Sequence, residues 1–198
     1  MVKSILTCPF LDFSYYGRRY DSFDCQGWFH QCVSAVLDAG YHINPRQFTS
    51  QLPLWQEMRK EGLPIKGFCV AAGVLTTEKA VEIIDGLKAA GIRHVAFTPG
   101  SVDGIRQVVN IVAANPNFPI ILQWTGGHAG GHHSFEDFHQ PILATYRNIR
   151  QFNISLIAGS GFGSADDVWE YLTGDWSVER FGVQPMPFDG FCLLVASW

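Results

Sequence analysis

From Leu63 onward the chain alternates short apolar runs with stretches in which apolar residues recur every three or four positions. The runs are Pro64–Ala72 (PIKGFCVAA), His94–Phe97, Pro119–Trp124 (PIILQW), Ile154–Ala158 and Phe188–Ala196. Continuous apolar runs of this length read as strands buried on both faces. Between them, Thr76 or Thr77 can cap a helix with the stripe Ala80, Ile83, Ile84 and Leu87, stopped at Gly91. Ser101 caps a second helix, with Asp103 in its first turn and a stripe at Ile105, Val108, Val109 and Val112. Pro141 suits the first position of a third helix running to about Gln151. A fourth spans Ala165–Leu172, with Asp166 and Asp167 at its positive end.

Strand starts recur roughly every 25 to 35 residues, the length of one βα unit. The pattern therefore predicts an α/β fold, a parallel sheet covered by helices. Two architectures meet it: a five-stranded doubly wound sheet, or a partial, truncated (β/α)8 TIM barrel. A complete barrel takes about 250 residues, and this chain has 198. Upstream of Leu63 the order is weaker. Residues 1–32 are rich in aromatics but show no period, and read as an irregular N-terminal segment. A short helix is expected over Gln31–Ala39, a break at Asn44-Pro45, and another helix from Leu52 to Glu61 ended by Gly62.

Composition narrows the function classes. Hydrophobic residues make up 47% and charged residues 16%, the balance of a globular chain. The formal charge is −4, with no basic stripe or run, which argues against nucleic acid and against anionic membranes. Five scattered cysteines without a CxxC pair suit a reducing compartment. The first residues lack a signal core, and no apolar stretch approaches the roughly 18 residues that span a bilayer. A cytoplasmic protein is expected.

The densest chemical constellation is Gln123–His133 (QWTGGHAGGHH). Its four glycines remove the Cβ atoms that keep a ligand from backbone N–H groups, and its histidines can hold or donate a proton near neutral pH. The bland alternative is a solvated surface turn. A metal reading of His128, His132 and His133 fails on two counts: Gly130-Gly131 disfavours the helix an i, i+4 pair needs, and no cysteine or carboxylate completes a set. No metal is expected. Ala158–Ser164 (AGSGFGS), between a strand and a helix, can wrap a phosphate. Gly73 and Thr98-Pro99-Gly100 fall on the same sheet edge, the carboxyl edge where parallel α/β folds bind ligands.

Five stretches carry a more specific signal: Val95–Ile105 (VAFTPGSVDGI), Gln123–Asp137 (QWTGGHAGGHHSFED), Gly159–Gly163 (GSGFG), Tyr171–Trp176 (YLTGDW) and Pro185–Gly190 (PMPFDG). In that order they resemble the enoyl reductase region of the β subunit of fungal-type fatty acid synthase, a barrel related to the FMN-binding nitronate monooxygenases. The resemblance runs from about Val33 to Phe191, so residues 33–198 are expected to form a partial FMN-dependent enoyl reductase-like domain. It implies that NADPH reduces FMN, and that hydride then passes to a trans-2-enoyl thioester on acyl carrier protein. It implies His132 as the proton donor, with Gly73, Thr98, Gln123, Gly126, Gly127, Gly131, Gly159, Ser160 and Gly161 about the flavin and its phosphate. Other fatty acid synthase domains or subunits are the implied partners.

The departures are specific too. The family has lysine where this chain has Thr98 and arginine where it has His128. It also has several tens of further residues between the positions of Ile43 and Asn44, and a different segment after Gly190. These departures set a second expectation beside the first, a truncated, non-catalytic fragment of that subunit with exposed strand edges. A stand-alone nitronate monooxygenase-like flavoenzyme is the third.

Overall fold

The computed structural model describes residues 4–6, 52–62, 67–71, 74–128, 134–159, 162 and 165–191. The expected helix at Gln31–Ala39, the Asn44-Pro45 break and nearly all of the irregular segment 1–32 lie outside them. Strand β1 (Ser4–Leu6) is followed by helix α1 (Leu52–Lys60), β2 (Gly67–Ala71), α2 (Thr77–Ala89), β3 (His94–Phe97) and α3 (Val102–Ala114). Then come β4 (Ile120–Trp124), a single 3-10 turn (Gly126–His128), α4 (His139–Ile149) and β5 (Ile154–Ala158). Helices α5 (Ala165–Thr173) and α6 (Asp175–Phe181) lead to β6 (Gly190–Phe191).

The strands form one sheet in the order β1-β2-β3-β4-β5-β6. Strands β2 to β6 are mutually parallel, and β1 adds an antiparallel pair to β2, with Ile5 opposite Val70. A doubly wound sheet reverses its strand order at a switch point; among the described residues the strands follow one another in sequence without a reversal. With right-handed crossovers, sequential order puts every helix on one face, as in a stretch of (β/α)8 wall. The burial pattern agrees. Val95, Phe97, Ile120, Leu122, Trp124, Ile154, Leu156 and Ala158 join the helices in the main core, whereas Ala96, Ile121 and Ile157 form a separate cluster. The two sets alternate along each strand, so they occupy opposite faces.

Local chemistry accounts for the element ends. Thr76 accepts a hydrogen bond from the Lys79 N–H (3.3 Å), and α2 buries the expected Ala80, Ile83, Ile84 and Leu87. Ser101 caps α3 by accepting from the Gly104 N–H (3.1 Å), but the fourth buried residue of the stripe is Ile111, with Val109 only half-buried. Helix α4 begins at His139, two residues before Pro141, because the Asp137 carboxylate accepts the N–H groups of His139 (2.7 Å) and Gln140 (3.1 Å). Among the described residues no helix is long and apolar enough to cross a membrane.

The run expected at Phe188–Ala196 forms a strand at Gly190–Phe191, its later residues lying outside those described. Asp189 docks it. Its N–H donates to the Leu156 carbonyl (2.8 Å), and its carboxylate accepts from the Leu156 N–H (2.7 Å) and the Arg150 guanidinium (2.7 Å). The hydroxyl of Tyr146 donates to the Pro187 carbonyl (2.8 Å) alongside. Asp189→Ala leaves both donors without this acceptor and should lower unfolding stability by about 2 kcal/mol, measured as a shift in the urea midpoint at unchanged slope.

Candidate functional site at the carboxyl edge of the sheet

The interior face of the sheet ends in polar groups where its strands reach their carboxyl edge. Gln123 lies on the face of Ile121, opposite to Trp124, and pairs in register with Ile157. Gly159, two residues beyond Ile157, falls on that same face. A Cβ built on Gly159 would sit 2.7 Å from the Gln123 amide nitrogen, so the glutamine side chain lies across the glycine. The Gly159 N–H also donates to the Trp124 carbonyl (2.9 Å), which extends the β4–β5 pairing by one residue. One strand away, the Thr98 N–H (3.2 Å) and hydroxyl (3.3 Å) both donate to the Val70 carbonyl. The loop after β2 is held by Gln107, whose amide donates to the Leu75 carbonyl (3.0 Å).

The glycine-rich loop after β4 is tied at both ends. At its start Trp124, fully buried, donates its indole N–H to the Phe138 carbonyl (2.8 Å). Gly126 has φ +59, and a Cβ there would lie 2.8 Å from the Phe138 ring. Both the positive φ and the close approach call for glycine. At its end the Ser134 N–H donates to the Gly126 carbonyl (2.8 Å), closing the base of the loop. The Ser134 hydroxyl donates to the Gly100 carbonyl (2.7 Å) and accepts from the Glu136 N–H (2.9 Å). Both Glu136 carboxylate oxygens lie 3.3 Å from the Val102 N–H, at the start of α3.

Of the residues expected at the site, Thr98, Gln123, Gly126, Gly127 and Gly159 are thus placed at one edge, with Gln123 and Gly159 in contact. Gly126 is accounted for by its own packing on Phe138. Gly127 is exposed, and a Cβ there would come no closer than 3.4 Å to the Glu136 carbonyl. Gly73, Gly131, His132, Ser160 and Gly161 lie outside the described residues, as does His133. Among the described residues, no three histidines, cysteines or carboxylates gather as a metal set. Ser134 and Glu136 entered the sequence reading only as part of a longer motif. Their partners stand 34 positions away, a distance that no local pattern bridges.

Behind the loop, Phe138, Phe162, Tyr171, Trp176 and Phe188 form an aromatic cluster with ring centroids 5.1 to 6.3 Å apart. The Trp176 indole N–H donates to the Met186 carbonyl (2.8 Å), and His139 Nε2 bonds the Tyr171 hydroxyl (2.9 Å). Burial pushes the Tyr171 hydroxyl above its ordinary pKa despite the nearby Arg180 guanidinium. Partial burial also pushes the Asp137 carboxyl up, but the N–H groups of Gln140 and His139 and the His139 charge outweigh it and hold that carboxyl below the usual range.

The architecture is that of a (β/α) barrel wall with a polar carboxyl edge, the class of fold in which enzymes place their sites on the βα loops. Residues 119–198 match the family described as fatty acid synthase subunit beta/Fas1-like, helical. The chain is 59% identical over 158 residues to fatty acid synthase 2 of Mycosarcoma maydis, covering 79% of this chain and 4% of that one. It is 54% identical over 160 residues to the fatty acid synthase subunit beta of Schizosaccharomyces pombe, covering 80% and 7%. The Saccharomyces cerevisiae subunit beta is 53% identical over 151 residues, covering 76% and 7%. By sequence the chain is similar to one part of each of these fatty acid synthase proteins, and it spans less than a tenth of their length.

The depressed Asp137 carboxyl stabilises the fold above its unfolded pKa of about 3.9, and that contribution is lost as pH falls through the lower folded value. Asp137→Asn should therefore flatten the acid limb of a stability–pH profile below about pH 4, read from urea midpoints, and leave the neutral region's slope unchanged.

Proposed function

We propose that the chain is the enoyl reductase region of a fatty acid synthase β subunit, reducing trans-2-enoyl thioesters on acyl carrier protein with NADPH through FMN, in the cytoplasm. The observation that carries this reading is the similarity just described, 59% identity over 79% of the chain, to a protein named fatty acid synthase. The edge geometry supports it. The small apolar surface of Ala96, Ile121 and Ile157, with the Gln123 amide at its rim, suits a flat heteroaromatic ring that needs one directional hydrogen bond.

FMN, when bound, supplies the two-electron carrier between NADPH and the β-carbon of the enoyl group. The residues that would hold it are Gln123 and Thr98 from the strand ends. Gly73, Gly126, Gly127 and Gly131 would allow backbone approach, and Gly159, Ser160 and Gly161 would meet the phosphate. His132 protonates the α-carbon as the β-carbon becomes saturated, so its imidazolium must be regenerated each turnover. The remaining domains or subunits of the synthase are the partners that bring the carrier-bound substrate.

Three measurements test this. The purified chain should retain visible flavin absorption after FMN is added and the excess removed; a colourless protein would favour a non-catalytic segment that depends on the rest of the subunit. His132→Ala should lower enoyl reduction about a hundredfold while flavin reduction by NADPH continues, and equal loss of both would remove His132 from the role. Thr98→Lys, which restores a positive charge beside an anionic cofactor, should tighten FMN binding about fivefold, roughly 1 kcal/mol for a surface charge pair, as read by flavin fluorescence titration.

A further inference from the structure

At the carboxyl ends of β4 and β5 a glycine and a glutamine share one space. Gly159 is buried, and a Cβ there would stand 2.7 Å from Gln123 Nε2, 3.1 Å from its Cγ and 3.3 Å from its Cδ. The outer half of the glutamine side chain therefore runs through the volume that a side chain at 159 would fill. Two other uses of glycine do not apply here. Gly159 lies outside the left-handed region, so a positive φ is not what calls for it. Its N–H is donated to the Trp124 carbonyl (2.9 Å), so that donor is already taken. What remains is the space. Among the described residues no hydrogen bond fixes the Gln123 amide, which is half-buried beside the surface of Ala96, Ile121 and Ile157.

We propose that Gly159 is a positioning residue for Gln123: by leaving out a side chain, it seats the glutamine amide across the end of β5. The inference rests on the reading of Gln123 as the hydrogen-bonding group for the flavin ring, and it narrows the part played by Gly159 from the phosphate to that ring. A glutamine has rotamer freedom to lose on being ordered, and where no hydrogen bond selects the rotamer, packing must. The register supplies the packing. Gln123 pairs with Ile157, and Gly159 follows two residues later on the same face. An alanine at 159 would intrude on the far end of a flexible side chain, with Nε2 its nearest neighbour. Relief then comes from Gln123 swinging away and not from movement of the backbone. The fold loses little, whereas the sheet edge loses its directional group.

The test compares Gly159→Ala, Gln123→Ala and the double substitution in the whole chain. Without cofactor, the readout is the Gln123 side-chain amide in a proton–nitrogen correlation spectrum, identified by its loss in Gln123→Ala. Its protons should show a nuclear Overhauser contact to the Gly159 Hα. In Gly159→Ala the contact to residue 159 should vanish, while the urea midpoint stays close to that of the unsubstituted chain. With FMN, Gly159→Ala should weaken binding about tenfold, as the loss of one directional hydrogen bond would, and Gln123→Ala should do the same. The double variant should bind no more weakly than Gln123→Ala, because its second change acts only through the group already removed. An absent contact in the unsubstituted chain, or one that survives in Gly159→Ala, would overturn the seating. A lost contact with undiminished FMN affinity would overturn the positioning role. So would a loss of roughly a hundredfold in the double variant, the sum of two independent effects, since Gly159 would then meet the cofactor by itself. A fall in the urea midpoint that Gln123→Ala does not relieve would make Gly159 merely structural. If the unsubstituted chain retains no FMN, the functional reading fails, and the Overhauser contact alone still decides whether Gly159 seats Gln123.

Discussion

The indole of Trp124 holds the carbonyl of Phe138, and the rest of the carboxyl edge is arranged around that hydrogen bond. It joins the last residue of β4 to the residue just before α4, so the intervening chain must leave and return to one point. Gly126 accepts the consequence: it turns with φ +59 because the Phe138 ring stands where a side chain would go. Phe138 also supplies the base on which Phe162, Tyr171 and Phe188 pack. The glycine-rich loop, the start of α4 and the aromatic cluster thus share one buried anchor. An exposed tether would have to compete with water for the same carbonyl; inside the core that competition is absent.

The sequence pattern anticipated those elements whose signal is local. Helix α2 declares itself through Thr76 and four apolar residues on one stripe, and the structure buries those four. Gln123 and Gly159 were also legible as neighbours in principle. Period two places both on the interior face, and the parallel register sets them beside each other. The errors of detail have identifiable causes. In α3, packing selects Ile111 over Val109 because the buried face is decided by the neighbouring helix and not by the hydropathy of the residue. In α4, Pro141 drew attention from the true capping group, Asp137, since a carboxylate two residues before a helix is as good a start signal as a proline inside it.

Other features were illegible for a stated physical reason. Helix α6 has only seven residues, between Gly174 and Gly182, too short for periodicity to emerge; it is held by burying Trp176 and Ser177. The pairing of β1 with β2 joins residues more than 60 positions apart by backbone bonds that carry no side-chain signature. The choice between a doubly wound sheet and a barrel wall depends on strand order alone, which hydropathy cannot encode. Of the candidate site, the sheet edge and its glycines were readable, but the Ser134 and Glu136 bonds were not, because their meaning arises only when the turn after β3 is brought alongside.

The carboxylate of Glu136 at the first turn of α3 has an electrostatic consequence for the whole edge. The βα units repeat in shape, and each helix of an idealised barrel would turn the same partial positive charge toward the strand ends. Here two of those poles are already covered by carboxylates from within the chain, α3 by Glu136 and α4 by Asp137. A phosphate or carboxylate approaching the turn of Thr98 therefore meets a negative group at the first turn of α3. Repetition of backbone form does not make the repeats interchangeable as anion receptors: α3 meets a carboxylate borrowed from the next loop along, α4 one from its own entry, and α2 a neutral hydroxyl.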